Sequence, residues 1–486
     1  MGLATAGRSY WSIVAGAALA LALFAAAALF TTVVPASLLT WETVPFALAG
    51  NAIFLLLAIY TGRSATRVQQ EKRLAFVVWF LLISSEEFFV RRNDIEDTFS
   101  GNMATGAFAE AGVWVLLFLV LVVFTARNHL YLRRLFAGPY KWLALFGLLC
   151  VSSCVYSPKP AFSLAWGFKL CIVILVLQVC ASHIQNEEDL AGFLKATVCG
   201  IAFLAIVPPV RALFLDVPMF QDGRLGNSMS PTGMSEVAGA LLVISLACRS
   251  IIRARSLSFL AIAAVVIMFM AGGKAAILST TLSVMLFFLA RRKVGSAALG
   301  LAVIVVVGAI VVMATPVSSY LENYADSGQA TTLSGRMGLW EIALPAVLNR
   351  PLLGNGYATS RFFSVQVGGI PWGPGHMHNG FLEVLYNNGA IGLALLLLIQ
   401  AAIVIGLVKA MFRFGPTSPL QPLAVGGIAL FANTLIDGMF NASFGGRATG
   451  IFVVMLSLVV ISERMLALVP KQVAEPDIQP SLRIAS

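Results

Sequence analysis

Long apolar runs separated by short polar segments recur along the chain. About 20 predominantly apolar residues let an α-helix cross a hydrocarbon layer of about 30 Å, and in lipid a helix satisfies its own backbone. The pattern predicts spans at 11–33, 43–60, 74–90, 111–126, 142–156, 161–182, 191–209, 235–248, 257–272, 275–290, 296–315, 385–408, 419–437 and 448–464. The expected fold is an all-α polytopic membrane protein with about fourteen transmembrane helices, or twelve if the shorter amphipathic runs do not cross. The run at 11–33 is too long for a signal peptide and has no clear cleavage site, so it reads as a retained span.

One connection, 316–384, is too long for a simple link, and such loops are usually functional. Within it, Ser334 to Arg350 reads as an amphipathic helix. Leu339, Ile342, Ala343 and Val347 fall near one face, Ser334 is the candidate N-cap, and Pro345 is expected to kink or interrupt the helix. A Gly/Pro-rich stretch follows, from Pro351 through Gly375. The chain thus divides into 1–315 with the first eleven spans, the large loop 316–384 expected to carry the chemistry, 385–468 with three more spans, and a polar tail, 469–486, expected to be disordered.

Composition supports the membrane reading. The chain is 59% hydrophobic and 11% charged, with mean hydropathy +0.89, against about 25% charged residues in an ordinary soluble domain. The net charge of +10 suggests nucleic acid, but the basic residues lie in short loops between spans. Arg63, Arg67, Lys72, Arg73, Arg127, Arg133, Arg134, Lys141, Arg249, Arg253, Arg255, Arg291, Arg292, Lys293, Lys409 and Arg413 fall on one side, sixteen in all. The alternate loops hold seven: Arg91, Arg92, Lys159, Arg211, Arg224, Lys274 and Arg447. The positive-inside rule then places both termini in the cytoplasm and 316–384 outside. The six cysteines lie in or beside apolar runs, none in the large loop, so neither a disulfide framework nor a Cys-based metal site is expected.

Candidate chemistry concentrates in the outer loops. Two of the four histidines, His376 and His378, occur together in Pro374-Gly375-His376-Met377-His378-Asn379-Gly380. Histidine is suited to proton exchange near neutral pH. A helix-capping role, or a His-x-His metal site, are the other readings, although zinc wants three or four ligands. Arg336 sits at the start of the loop helix, where backbone N–H groups and a guanidinium suit phosphate. Arg224 lies between glycines in Asp222-Gly223-Arg224-Leu225-Gly226-Asn227. Lys274, in Gly272-Gly273-Lys274, marks a tight outer connection and either snorkels to headgroups or joins the arginines. It is no P-loop, because the preceding glycine pattern is missing. Glu86, Glu87 and Lys169 are ionisable groups at membrane depth; Glu383 and Asp437 stand at outer span ends, where they serve a structural role or orient neighbouring cations.

The ordered set Ser334-Gly335-Arg336 with Trp340, Pro351-Leu352-Leu353-Gly354 with Gly356, His378-Asn379 with Leu382, and Gly389 with Ile391-Gly392-Leu393 resembles the O-antigen ligase and polysaccharide polymerase superfamily. The stretch from His376 to Gly380 is most similar to its exopolysaccharide polymerases. The resemblance implies a GT-C-like, metal-independent inverting glycosyltransferase that needs no cofactor. Its donor would be an undecaprenyl-diphosphate-linked oligosaccharide. Its acceptor would be a glycan hydroxyl for polymerisation, or lipid A core for an O-antigen ligase. His378 would match the catalytic histidine, Arg336 the arginine near the diphosphate, and Arg224 an arginine before the middle spans. Lys274 stands where the family often carries arginine, so the fork is lost there. Asn379, His376 and Trp340 complete the expected substrate-binding set. The implied location is the bacterial inner membrane, with a periplasmic site, membrane lipids around it, and polysaccharide export or chain-length machinery as partners.

The residues are chemically coherent with this. A lipid diphosphate is already a good leaving group, so the protein must supply a base and cations. The rival classes are a transporter or flippase of lipid-linked sugars and a non-catalytic assembly subunit.

Overall fold

The computed structural model describes residues 67–89, 114, 135–214, 219–226, 229–326, 336–363 and 376–468. The expected spans at 11–33, 43–60 and 111–126 (apart from Trp114) and the tail 469–486 lie outside the described residues.

Each of the other eleven expected spans corresponds to a helix. These are α1 (Arg67–Phe89), α2 (Tyr140–Ser152), α3 (Pro160–His183), α4 (Glu187–Phe214), α5 (Pro231–Ile252), α6 (Ser256–Ala271), α7 (Lys274–Ala290) and α8 (Val294–Ala314). After α9 (Val317–Asp326) and α10 (Arg336–Leu348) come α11 (Gly380–Arg413), α12 (Leu420–Gly438) and α13 (Gly450–Ala467). Among the described residues, seven helices are long and apolar enough to cross a membrane; α2, α6 and α7 are apolar but shorter. On α8 large apolar side chains face outward, including Leu299, Val306, Ile310 and Met313. In water such a face would be a liability, whereas lipid accommodates it.

Helix α5 packs against α6, α4 and α12, and α11 against α12, α13 and α2. Their inner faces join one apolar core containing Leu241, Met268, Ile403, Leu430 and Met455. Two polar pairs lie inside it: Thr280 Oγ1 donates to Asn433 Oδ1 at 3.0 Å, and Trp79 Nε1 to Thr197 Oγ1 at 2.8 Å. Lys169 of α3, 5% exposed, lies 4.5 Å and 4.8 Å from the ring centroids of Trp166 and Trp114.

The span expected from 385 begins earlier, at Gly380, and is broken at Gly389, whose φ of 63° and ψ of −167° are non-helical. A continuous helix would bond the N–H groups of residues 390 and 391 to the carbonyls of 386 and 387. Instead, Ala390 N–H donates to Pro351 O (2.8 Å) and Ile391 N–H to Leu352 O (3.2 Å). The vacated carbonyls of Tyr386 and Asn387 accept from the N–H groups of Asn355 and Gly356, both at 2.8 Å. Two helical bonds are given up and four bonds to the loop replace them, which is how a buried break is tolerated. Gly354 must be glycine here, since a Cβ would lie 2.6 Å from the backbone of Asn387.

The loop helix forms as α10, with two differences from expectation. Pro345 lies within it and does not end it. Leu339, Ala343 and Val347 are buried, but Ile342 is 39% exposed. The buried three pack with Phe363, Met377, Leu382 and Tyr386 in a second, smaller cluster, and Ile342 falls just off that stripe.

Candidate active site

The histidine turn precedes α11. Asn379 caps that helix, its Oδ1 accepting from the N–H groups of Phe381 and Leu382, both at 3.0 Å. Its Nδ2 donates to Met439 O at 3.2 Å. Between the histidines, Met377 is fully buried and its backbone is held twice: Trp340 Nε1 donates to its carbonyl at 2.9 Å, and its N–H donates to Glu383 Oε2 at 2.8 Å. Glu383 also accepts from Ser360 Oγ, whose N–H donates to Asn387 Oδ1 at 2.8 Å. The turn is therefore fixed by α10, by the 3₁₀ segment Thr359–Phe362 and by α11.

His378 has φ 51°, a region non-glycine residues rarely occupy. The two imidazole centroids are 4.0 Å apart, and His378 N–H donates to His376 Nδ1 at 3.3 Å. Nδ1 of His378 is buried without a hydrogen-bond partner among the described residues. Burial, reinforced by the neighbouring positive charges, draws His376 down to about 4 and His378 down to about 2. Both rings are thus neutral at ordinary pH.

Arg336 opens α10 and donates to Asn441 Oδ1 at 3.4 Å. Asn441 Nδ2 donates to Asp437 Oδ1 at 2.9 Å, and Ser443 Oγ lies 2.6 Å from Asp437 Oδ2 and 3.2 Å from Glu236 Oε2. A buried carboxylate pair thus stands behind Arg336. Burial lowers the Arg336 pKa, and the charge of Asp437 opposes that shift. The same guanidinium acts on both histidines.

Residues 220–225 form a two-stranded hairpin, β1 (Phe220–Gln221) and β2 (Arg224–Leu225), turned by Asp222 and Gly223 at positive φ. Such a turn suits the twist of a two-residue hairpin. It lays the Arg224 guanidinium over Tyr320, 4.4 Å from the ring centroid, with Nε buried and without a partner among the described residues. Gly272 ends α6 at φ 62°, and a Cβ there would be 3.3 Å from Arg224 Cδ. Gly273 packs against Ser235. The Gly-Gly turn therefore lets Arg224 lie across it. Lys274 follows, its Nζ over the Tyr324 ring and donating to Tyr320 Oη at 3.0 Å. The charges of Arg224 and Arg336 both act on Lys274. Three cations expected from separate loops thus converge, with Arg336 linking them to the histidines.

Other expectations resolve differently. Trp340 spends its N–H on Met377, and its ring lines a cleft of about 300 Å³ with Leu344, Asn379, Phe381, Leu382, Leu385 and Leu393. Glu383, 2% exposed, holds the histidine turn by neutral donors and makes no ion pair among the described residues. The side chains of Glu86 and Glu87 are outside the described residues. Sequence reasoning missed Tyr320, Tyr324, Asn441 and Asn387. Asn379, Glu383 and Asn387 recur every fourth residue, a one-face helical spacing that was available as a signal.

Residues 228–397 match the family model described as O-antigen ligase. None of the curated proteins compared with the chain matches it. The matched stretch contains Lys274, Arg336 and the histidine turn, and the motif glycines that exchange bonds at the α11 break. It is this stretch, in a multi-pass membrane protein, that is similar to the O-antigen ligase family.

Proposed function

We propose that the protein is a metal-independent inverting glycosyltransferase that moves a glycan from undecaprenyl diphosphate to an acceptor hydroxyl on the periplasmic face, polymerising exopolysaccharide or O-antigen units. The carrying observation is the buried ring nitrogen of His378, unpartnered among the described residues, beside Arg336, which the charges of Arg224 and Lys274 adjoin.

In this reaction the acceptor oxygen attacks the anomeric carbon as its proton passes to His378. The bond from that carbon to the diphosphate oxygen breaks, and the electron pair leaves on the diphosphate. Arg336 and Arg224 offer guanidinium donors to that developing charge, with Lys274 as a point charge beside them. Arg336 stays oriented through Asn441 while its remaining N–H groups are available. A base held near 2 is weak, and an incoming diphosphate corrects this. Negative charge favours the imidazolium and raises the His378 pKa toward the working pH. Donor binding thus arms the base.

Ligation to lipid A core uses the same chemistry and differs in the acceptor. The test is purified protein with a lipid-linked oligosaccharide, read for lengthened glycan. Lengthening supports polymerisation; transfer only when lipid A core is added assigns ligation. Failure with both, alongside movement of lipid-linked sugar across vesicles, would favour a transporter.

A further inference from the structure

A second group of cations lies near His376 and takes no part in the chemistry above. Arg361 comes from the 3₁₀ segment Thr359–Phe362, and Arg447 from the connection between α12 and α13. Arg447 is the stronger of the two charges acting on His376. Arg361 is drawn down to about 10, first by burial and then by Arg447. Neither guanidinium meets a carboxylate within ion-pair distance among the described residues. Glu383, whose charge Arg447 does feel, already has both oxygens occupied by Ser360 and Met377.

Aromatic rings line the same place. Arg447 lies 5.4 Å from the Trp166 centroid, and Lys159 Nζ lies 5.4 Å from the Phe362 centroid. Phe162 packs against both Trp166 and Phe362, at 6.1 Å and 4.9 Å. Two like charges held together and partly out of water, with no carboxylate within ion-pair distance among the described residues, oppose folding unless an anion completes them. Cations with flat apolar rings are suited to a charged sugar or a sugar phosphate, the ring taking the sugar face and the guanidinium the anion.

We propose that Arg361 and Arg447, flanked by Lys159 and Trp166, form a second anion-binding site that holds a negatively charged group of the acceptor next to the histidine pair. The proposal rests on the glycosyltransferase reading for the word acceptor, but the anion site itself does not. The anion is either the diphosphate of a lipid-linked acceptor or a carboxylate carried on its sugars. Each cation group then serves one substrate, and the reacting hydroxyl is delivered between them.

The full-length protein in zwitterionic nanodiscs is titrated with inorganic pyrophosphate and, separately, with glucuronate. Wild type should bind anion at two sites. Arg336→Ala should lose one, and Arg361→Gln with Arg447→Gln the other. Glucuronate in place of pyrophosphate at the second site would assign the sugar carboxylate as the ligand. In turnover, the double variant should raise the acceptor KM by about 10-fold or more, the effect of losing charge-assisted bonds, with kcat little changed. Arg361→Lys with Arg447→Lys, which keeps the charge, should retain anion binding; a purely structural pair would not separate Lys from Gln. If the Gln variant melts like wild type and binds both probes as wild type does, the proposal is overturned. If wild type transfers no glycan while the binding pattern holds, the enzyme reading fails and the anion site stands.

Discussion

The N–H of Met377 donates to Glu383 Oε2 at 2.8 Å, so a carboxylate one helical turn into α11 holds the loop that presents both histidines. This bond ties His378 to the helix that follows it. Glu383→Gln keeps one acceptor oxygen, so it cannot accept from both Met377 and Ser360 through separate oxygens. A buried hydrogen bond left unmade costs about 1–3 kcal/mol, which is about 5- to 150-fold in rate if it is expressed in His378 placement. Turnover measured beside thermal unfolding tests this. Wild-type turnover would mean that Trp340 alone sets the turn.

The two histidines should separate. His378→Ala should lose roughly 10²–10⁴-fold in transfer, the contribution of a positioned base, while still binding the lipid donor. His376→Ala should retain measurable activity. With donor and acceptor supplied directly, equal rates for His378→Ala and wild type would end the general-base assignment.

The pH dependence of stability has a definite sign. The folded His376 is lowered from 6.5 to about 4, so the unfolded chain binds the proton more readily. The ring makes no contribution above about pH 6.5, and stability then falls as pH drops toward 4. Melting temperatures at pH 7 and pH 5 should differ more in wild type than in His376→Asn. An equal difference would show that His376 titrates normally.

Cations replace a metal in the proposed chemistry. Arg336→Ala should therefore reduce turnover by about 10- to 100-fold, as for a lost charge-assisted bond. Arg336→Lys should recover part of it, since the fork is lost. Lys274→Ala should be milder, and EDTA should leave the rate unchanged. Activity lost in chelator and restored by Mg²⁺ would assign the charge stabilisation to a metal.

Gly389→Ala should be destabilising by at least about 1–3 kcal/mol, from an unfavourable backbone region combined with overpacking. A Cβ there would collide with the Leu352 carbonyl. Ala substitution at the exposed Gly338, where a Cβ meets nothing, is the control. Similar melting temperatures for the two variants would argue against the bond exchange at the break.

Spans were legible because each carries its own signal, an apolar run of a fixed length. Arg224, Lys274, Arg336 and His378 were legible as residue types, and the resemblance placed them in order. Their convergence was not, because it depends on the Asp222-Gly223 hairpin and the Gly272-Gly273 turn bringing distant loops together. The glycines of Pro351–Gly356 and Gly389 were visible as a motif, but their shared cause is a contact across more than thirty residues. Ile342 was misplaced since a one-face pattern cannot say how wide the covering surface is.

The break at Gly389 has a mechanical consequence. Both sides of the break are stitched to Pro351–Gly356, through the carbonyls of Tyr386 and Asn387 before it and the N–H groups of Ala390 and Ile391 after it, while the rest of α11 belongs to the bilayer-crossing bundle. A long span tilts to follow the thickness of its membrane. With the break stitched on both sides, a change of tilt bears on those four bonds before it reaches the histidine turn.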